Sequence, residues 1–142
     1  MLIIPWGQAG RAQMPILQQF SQKGFVINEG VAVDANHGFV LATELTQASV
    51  SDSVYLPYVV AASCHTEEPI DKVYADNGYD GEPNRSFLAM NNIADGIMRR
   101  STRSTKLTDT EMERNKLLSK KRYIVEQYFG ISHLHYLIGT FR

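Results

Sequence analysis

The chain has 142 residues, 14 of them basic and 15 acidic, so it has the length of one domain with a single core and a net charge near −1 that points to no nucleic-acid partner. A lone cysteine, Cys64, excludes an intrachain disulfide and fits a reducing compartment. No apolar run approaches the roughly twenty residues that span a bilayer, and the Met1–Pro5 start lacks a basic flank, so the chain reads as soluble and cytoplasmic.

Residues 1–20 mix Pro5, Gly7, Gly10 and Pro15 with apolar residues at no clear period, and read as a weakly structured leader with a short strand or helical turn. From Gly24 the pattern sharpens. Phe25–Ile27 and Val31–Val33 form one β-rich run and Phe39–Thr43 a second. Asp34-Ala35-Asn36-His37-Gly38 between them has turn chemistry, so the pair predicts a hairpin. Ser51-Asp52-Ser53 offers N-caps for a short helix through Val54, Leu56, Val59 and Val60, broken by Pro69. Ile70–Tyr74 predicts a strand ending at Ala75-Asp76, and Asn77-Gly78 a tight turn. Glu82–Met90 reads as a helix, Ile93–Met98 as a strand, and Ser101–Lys106 as a polar loop. Thr108-Asp109-Thr110 caps a long helix with Glu111 and Glu113 in its first turn. That helix is expected to end near Phe129, at Gly130. Leu134–Phe141 adds a last helix or strand. A hairpin followed by alternating strands and helices predicts α/β with a mixed sheet.

Two segments carry chemistry. Tyr74-Ala75-Asp76-Asn77-Gly78-Tyr79-Asp80 sets a carboxylate at a strand end, where it can serve a metal. Alternation puts Val73 and Ala75 on one face of the strand, Tyr74 and Asp76 on the other. Taken alone, such an aspartate is more often a turn former. In Arg122-Tyr123-Ile124-Val125-Glu126-Gln127-Tyr128-Phe129, apolar residues recur at helical spacing with Glu126 at the border of the stripe. Arg122, one turn earlier, can hold that carboxylate or bind a phosphate. The plain alternative is a surface ion pair. Nine of the 14 Lys and Arg residues lie between Arg99 and Arg122, which fits either a solvated helix face or a phosphate-binding stretch.

The order of these pieces is a hairpin, then Thr46–Ser53, Tyr74–Tyr79, Ile93-Ala94-Asp95-Gly96-Ile97, and a basic helix with Arg122 and Glu126. Over residues 21–142 it resembles the DDE transposases of bacterial insertion sequences, whose catalytic domain is ribonuclease H-like. The resemblance implies a partial ribonuclease H-like α/β fold and DNA transposition by strand cleavage and transfer. It implies magnesium held by three carboxylates, with DNA (transposon ends and target) and a second copy of the chain as partners. Asp76 then corresponds to the second carboxylate and Glu126 to the third. Arg122, Lys121, Lys120, Arg99, Arg100, Arg103 and His133 are the expected DNA contacts.

The chain departs from the family in three places. Ser119 stands where a tyrosine often precedes the arginine, and His133 where a lysine often follows the glutamate. The first aspartate belongs on a strand before the hairpin, yet no Asp or Glu precedes Glu29. Asp34 falls in the hairpin turn and Asp52 at a helix start. The expectation is therefore a truncated catalytic domain, its first strand missing or replaced by the leader, with impaired chemistry. The alternative function is a non-catalytic DNA-binding or dimerising fragment.

The remaining constellations are weaker. Cys64-His65 with Glu67 and Glu68 lacks the further ligands of a zinc site. His133-x-His135 has no third partner. Gly7-Gln8-Ala9-Gly10-Arg11 lacks the Gly-Lys-Ser/Thr ending of a phosphate loop.

Overall fold

A computed structural model describes residues 2–4, 27–47, 51–64 and 69–139; at 2–4, 27–29, 45–47, 52, 128, 129 and 131–139 it describes the backbone. The rest of the leader, Phe25, Val26, His65, Glu67, Glu68 and Phe141 lie outside the described residues. Five strands and three α-helices are formed: β1 (Leu2–Ile4), β2 (Ile27–Asp34), β3 (Val40–Gln47), α1 (Leu56–Ser63), β4 (Lys72–Ala75), α2 (Glu82–Met90), β5 (Ala94–Ile97) and α3 (Asp109–Gly139). Short 3₁₀ turns precede α1 (Asp52–Tyr55) and follow β4 (Asn77–Tyr79).

The strands make one mixed sheet in the order β3-β2-β1-β4-β5. β2 and β3 are the expected antiparallel hairpin, with a bulge between Ala32 and Val33. Its turn is built by Asp34, whose carboxylate accepts the amides of Asn36 (3.3 Å) and His37 (2.8 Å), while Gly38 takes a φ of 75°. β1 lies at the centre, antiparallel to β2 and parallel to β4, with Leu2, Ile3 and Ile4 beside Val73, Tyr74 and Ala75. Part of the leader thus fills the first-strand position. β4 and β5 are parallel, and α2 is the crossover such a pair requires. The architecture is α/β, as expected of a partial ribonuclease H-like domain.

Each face of the sheet has its own core. Ala32, Val73, Ala75 and Ile97 pack with Leu56, Val59 and Val60 of α1, Tyr79, and Leu88 of α2. Val31, Val33, Ala35 and Tyr74 pack with Leu118 and Val125 of α3. The alternation expected along β4 is therefore observed. Gly96 of β5 makes the β4 pairing possible: a Cβ there would lie 2.5 Å from the Val73 carbonyl oxygen and 3.1 Å from Tyr74 Cδ1.

Helix ends bring one agreement and three corrections. Thr108 and Glu111 form a capping box: the Thr108 amide donates to Glu111 Oε2 (2.9 Å), and the Glu111 amide to Thr108 Oγ1 (3.3 Å). Ser51 makes no side-chain cap, because its hydroxyl bonds that of Ser53 (2.9 Å) and the chain enters α1 through a 3₁₀ turn. α1 stops at Ser63, before Pro69 is reached. Its last residues turn polar side chains back on the helix, Ser63 Oγ onto the Val59 carbonyl (2.7 Å) and Cys64 Sγ onto that of Val60 (3.2 Å). Gly130 does not end α3, which continues to Gly139. A lone glycine costs a helix only about 1 kcal/mol, too little by itself to end one. The Leu134–Phe141 segment, as far as Gly139, is the continuation of that helix.

Candidate active site and nucleic-acid interface

The site lies at the end of β4, where the chain leaves the sheet. Asp76 follows Ala75, and its Oδ1 accepts the Asn77 amide at 2.6 Å, capping the 3₁₀ turn. The turn-former reading of this aspartate is therefore correct, but incomplete. Its Oδ2 faces the Arg122 guanidinium of α3 at 3.3 Å, joining the two segments singled out in the sequence. The Arg122 side chain is 12% exposed. Its Nη1 approaches the sulfur of Met98 at 3.7 Å, and its buried Nε has no hydrogen-bond partner among the described residues. Arg122 thus holds Asp76 across the fold. Glu126 is exposed, one helical turn beyond Arg122.

A ladder of charges that sequence reasoning missed supports this end of the sheet. Arg85 of α2 donates from Nε (3.1 Å) and Nη2 (2.7 Å) to Asp80 Oδ1, and from Nη1 to Asp95 of β5. Arg114 of α3 donates to the carbonyls of Ile97 (2.8 Å) and Asp95 (3.0 Å), and so straps the helix to β5. Buried Asn84 donates to the carbonyls of Ser53 and Tyr79, both at 2.9 Å, which ties α2 to the two 3₁₀ turns. Partial burial works to raise the Asp80 carboxyl. The Arg100 amide, the Arg85 fork and the Arg99 charge outweigh it, and the group titrates below its ordinary value. The Asp80 position was visible in the Tyr74–Asp80 motif. Its partners were not, because they come from α2 and from the loop after β5.

An open cleft is lined by Asp76, Asn77, Gly78, Arg100 and Ser101. Of the expected DNA contacts, Arg99, Arg100, Arg103, Lys120 and Lys121 are exposed, whereas Arg122 is engaged beneath the surface. His133 lies in the last third of α3, in a stretch described by its backbone. Cys64 is exposed, and its sulfhydryl donates within its own helix.

The magnesium site implied by three carboxylates does not fit these residues. β1, the strand beside β4, offers Leu2, Ile3 and Ile4 and no acid. Asp76 already meets an amide and a guanidinium. Among the described residues, no group of three or more His, Cys, Asp or Glu side chains is arranged to hold a metal ion. Among those residues, too, no helix is long and apolar enough to cross a membrane.

Comparison with known proteins bears on the same region. Residues 22–142 match the family described as the transposase DDE domain. Over 99 residues, 68% of this chain, the sequence is 39% identical to the transposase for insertion sequence element IS1106 of Neisseria meningitidis serogroup B. The chain covers 32% of that relative's length.

Proposed function

The chain belongs to the transposase DDE-domain family, and from that premise we propose that it is a DNA-binding part of a transposase catalytic domain, impaired in strand cleavage on its own. Asp76 and Glu126 are the second and third carboxylates of that domain on this reading. The observation that carries it is the 3.3 Å pair between Asp76 and Arg122, which unites the Asp-Asn-Gly-Tyr and Arg-x-x-x-Glu segments in space.

The chain's own residues divide the work. Arg99, Arg100, Arg103, Lys120 and Lys121 neutralise DNA phosphates, since exposed cations along one stretch release counterions on binding. Arg122 orients Asp76 and keeps its charge compensated. Divalent ions held by three carboxylates supply the family's phosphoryl-transfer chemistry. The acid expected on the first strand is absent here, so cleavage and strand transfer are the activities this chain loses. DNA in the cytoplasm, as transposon end or target, is the partner.

The test is binding of labelled duplex DNA at several salt concentrations. Affinity should fall steeply and linearly in log–log form as salt rises, and should persist in Asp76→Asn. Binding that is absent or indifferent to salt rejects the reading.

A further inference from the structure

The basic loop after β5 is held at Arg99 and at Arg100 by two different segments. Arg99 exchanges two hydrogen bonds with the Asn115 side chain of α3: its amide donates to Oδ1 (2.8 Å) and its carbonyl accepts from Nδ2 (2.9 Å). The Arg100 amide donates to Asp80 Oδ2 at 2.7 Å. Asp80 is in turn fixed by the Arg85 fork, and Arg85 also reaches Asp95 and the Ile97 carbonyl (3.4 Å) of β5. The side chains of Arg85 and Asp80 are 11% and 15% exposed, so their bonds are charge-assisted and shielded, unlike a solvated surface pair. The Arg100 side chain itself is exposed and lines the cleft that holds Asp76.

We propose that Asp80 is a positioning residue: through the Arg100 backbone it sets the Arg100 guanidinium beside the Asp76 cleft, as a contact for a DNA phosphate. The inference rests on the DNA-binding reading above. It makes a prediction of sign. An anion beside a basic segment weakens attraction for a polyanion, so if Asp80 acted by charge alone, its removal would tighten DNA binding. If it acts by position, its removal weakens binding. Asp80→Asn separates the two. The amide keeps one acceptor oxygen, which cannot serve both the Arg85 fork and the Arg100 N–H, so one of those contacts becomes donor against donor.

The experiment is fluorescence anisotropy of a labelled duplex with the full chain, Asp80→Asn, Arg100→Ala and the double variant, over a range of salt. Arg100→Ala should weaken binding and reduce the magnitude of the salt slope by about one. Asp80→Asn should weaken binding by about fivefold despite its lost negative charge, and should add nothing once Arg100 is alanine. Tighter or unchanged binding by Asp80→Asn overturns the inference, as does an equal loss in the Arg100→Ala background. Should Asp80→Asn lose its thermal unfolding transition, Arg85→Lys replaces it: charge is kept, the fork is lost, and the same Arg100-dependent weakening is expected. Unchanged binding by that variant overturns the inference too. An unmodified chain that shows no salt-dependent binding rejects the DNA-binding reading and this inference with it. An unmodified chain that binds, beside an Asp80→Asn that binds equally well, rejects the inference alone.

Discussion

Against one face of the sheet, α1 and α2 bury Leu56, Val59, Val60 and Leu88 on Ala32, Val73, Ala75 and Ile97. Against the other, α3 buries Leu118 and Val125 on Val31, Val33 and Tyr74, and adds Arg114, Asn115 and Arg122. The first face is held mainly by apolar burial, which has no direction and no dependence on ionisation, and its polar ties, from Asn84 and Arg85 of α2, gather at the sheet end. The second combines a smaller apolar seam with hydrogen bonds to named carbonyls and a carboxylate. The contrast explains why the candidate site is where it is. A helix seated by polar anchors brings charged groups to the sheet end in fixed positions, at the cost of sensitivity to pH and to single substitutions.

The comparison can be broken most directly at its apolar side. Leu56→Ala should cost about 2–5 kcal/mol, read as a shift in denaturation midpoint, because Leu56 is fully buried. Leu118→Ala should fall at the low end of that range, since Leu118 borders solvent and its surroundings can relax. Equal losses at the two positions would mean that the faces are packed alike and that the contrast is wrong.

Gly96→Ala tests the link between the faces and the site. The added Cβ meets the Val73 carbonyl and Tyr74, so β4 and β5 must part, at about 1–3 kcal/mol. The cost should appear both in the midpoint and as altered chemical shifts at Tyr74 and Asp76.

Acid titration tests the ion pairs at the sheet end, where Arg85 of α2 holds Asp80. The Asp80 carboxyl titrates in the fold below its ordinary 3.8. The unfolded chain therefore takes up its proton first as pH falls. The contribution of Asp80 to stability is complete above pH 3.8 and is lost as pH drops from there through the folded value. Asp34, also lowered, shares the window; burial opposes the shift, but the amides of His37 and Asn36 and the His37 ring outweigh it. The difference in melting temperature between the chain and Asp80→Asn, measured against pH, isolates Asp80. That difference should shrink below pH 3.8, and one that stays constant would contradict the ion-pair account.

The smallest effect is expected at Gly130. Its Cβ position is open and the backbone is helical, so Gly130→Ala should raise stability by at most about 1 kcal/mol. A loss there would place the glycine in a packing role.

The sequence made much of the sheet legible because alternation is strict where both faces are buried. Val73 and Ala75 sort to one core and Tyr74 to the other, as expected. The hairpin turn and the Thr108 cap were also legible, since each rests on a short side-chain-to-backbone bond between near neighbours. What could not be read was long-range and polar. Arg122 at four residues from Glu126 suggested a helical pair, yet it reaches Asp76 from a different element. No local motif or spacing marks out Arg85, Arg114 or Asn115. Their partners are backbone carbonyls and carboxylates brought near by the fold, and no local spacing records that. The end of α3 was misread because a glycine's cost is small beside the continuity of the helix around it.

The most direct test of the account is supercoiled plasmid incubated with the chain and magnesium, followed for binding and nicking in the same samples. The account predicts plasmid that is retarded, with the retardation lost at high salt, and that stays intact. Nicking by the unmodified chain that disappears in both Asp76→Asn and Glu126→Gln would contradict it, because two carboxylates would then suffice for cleavage.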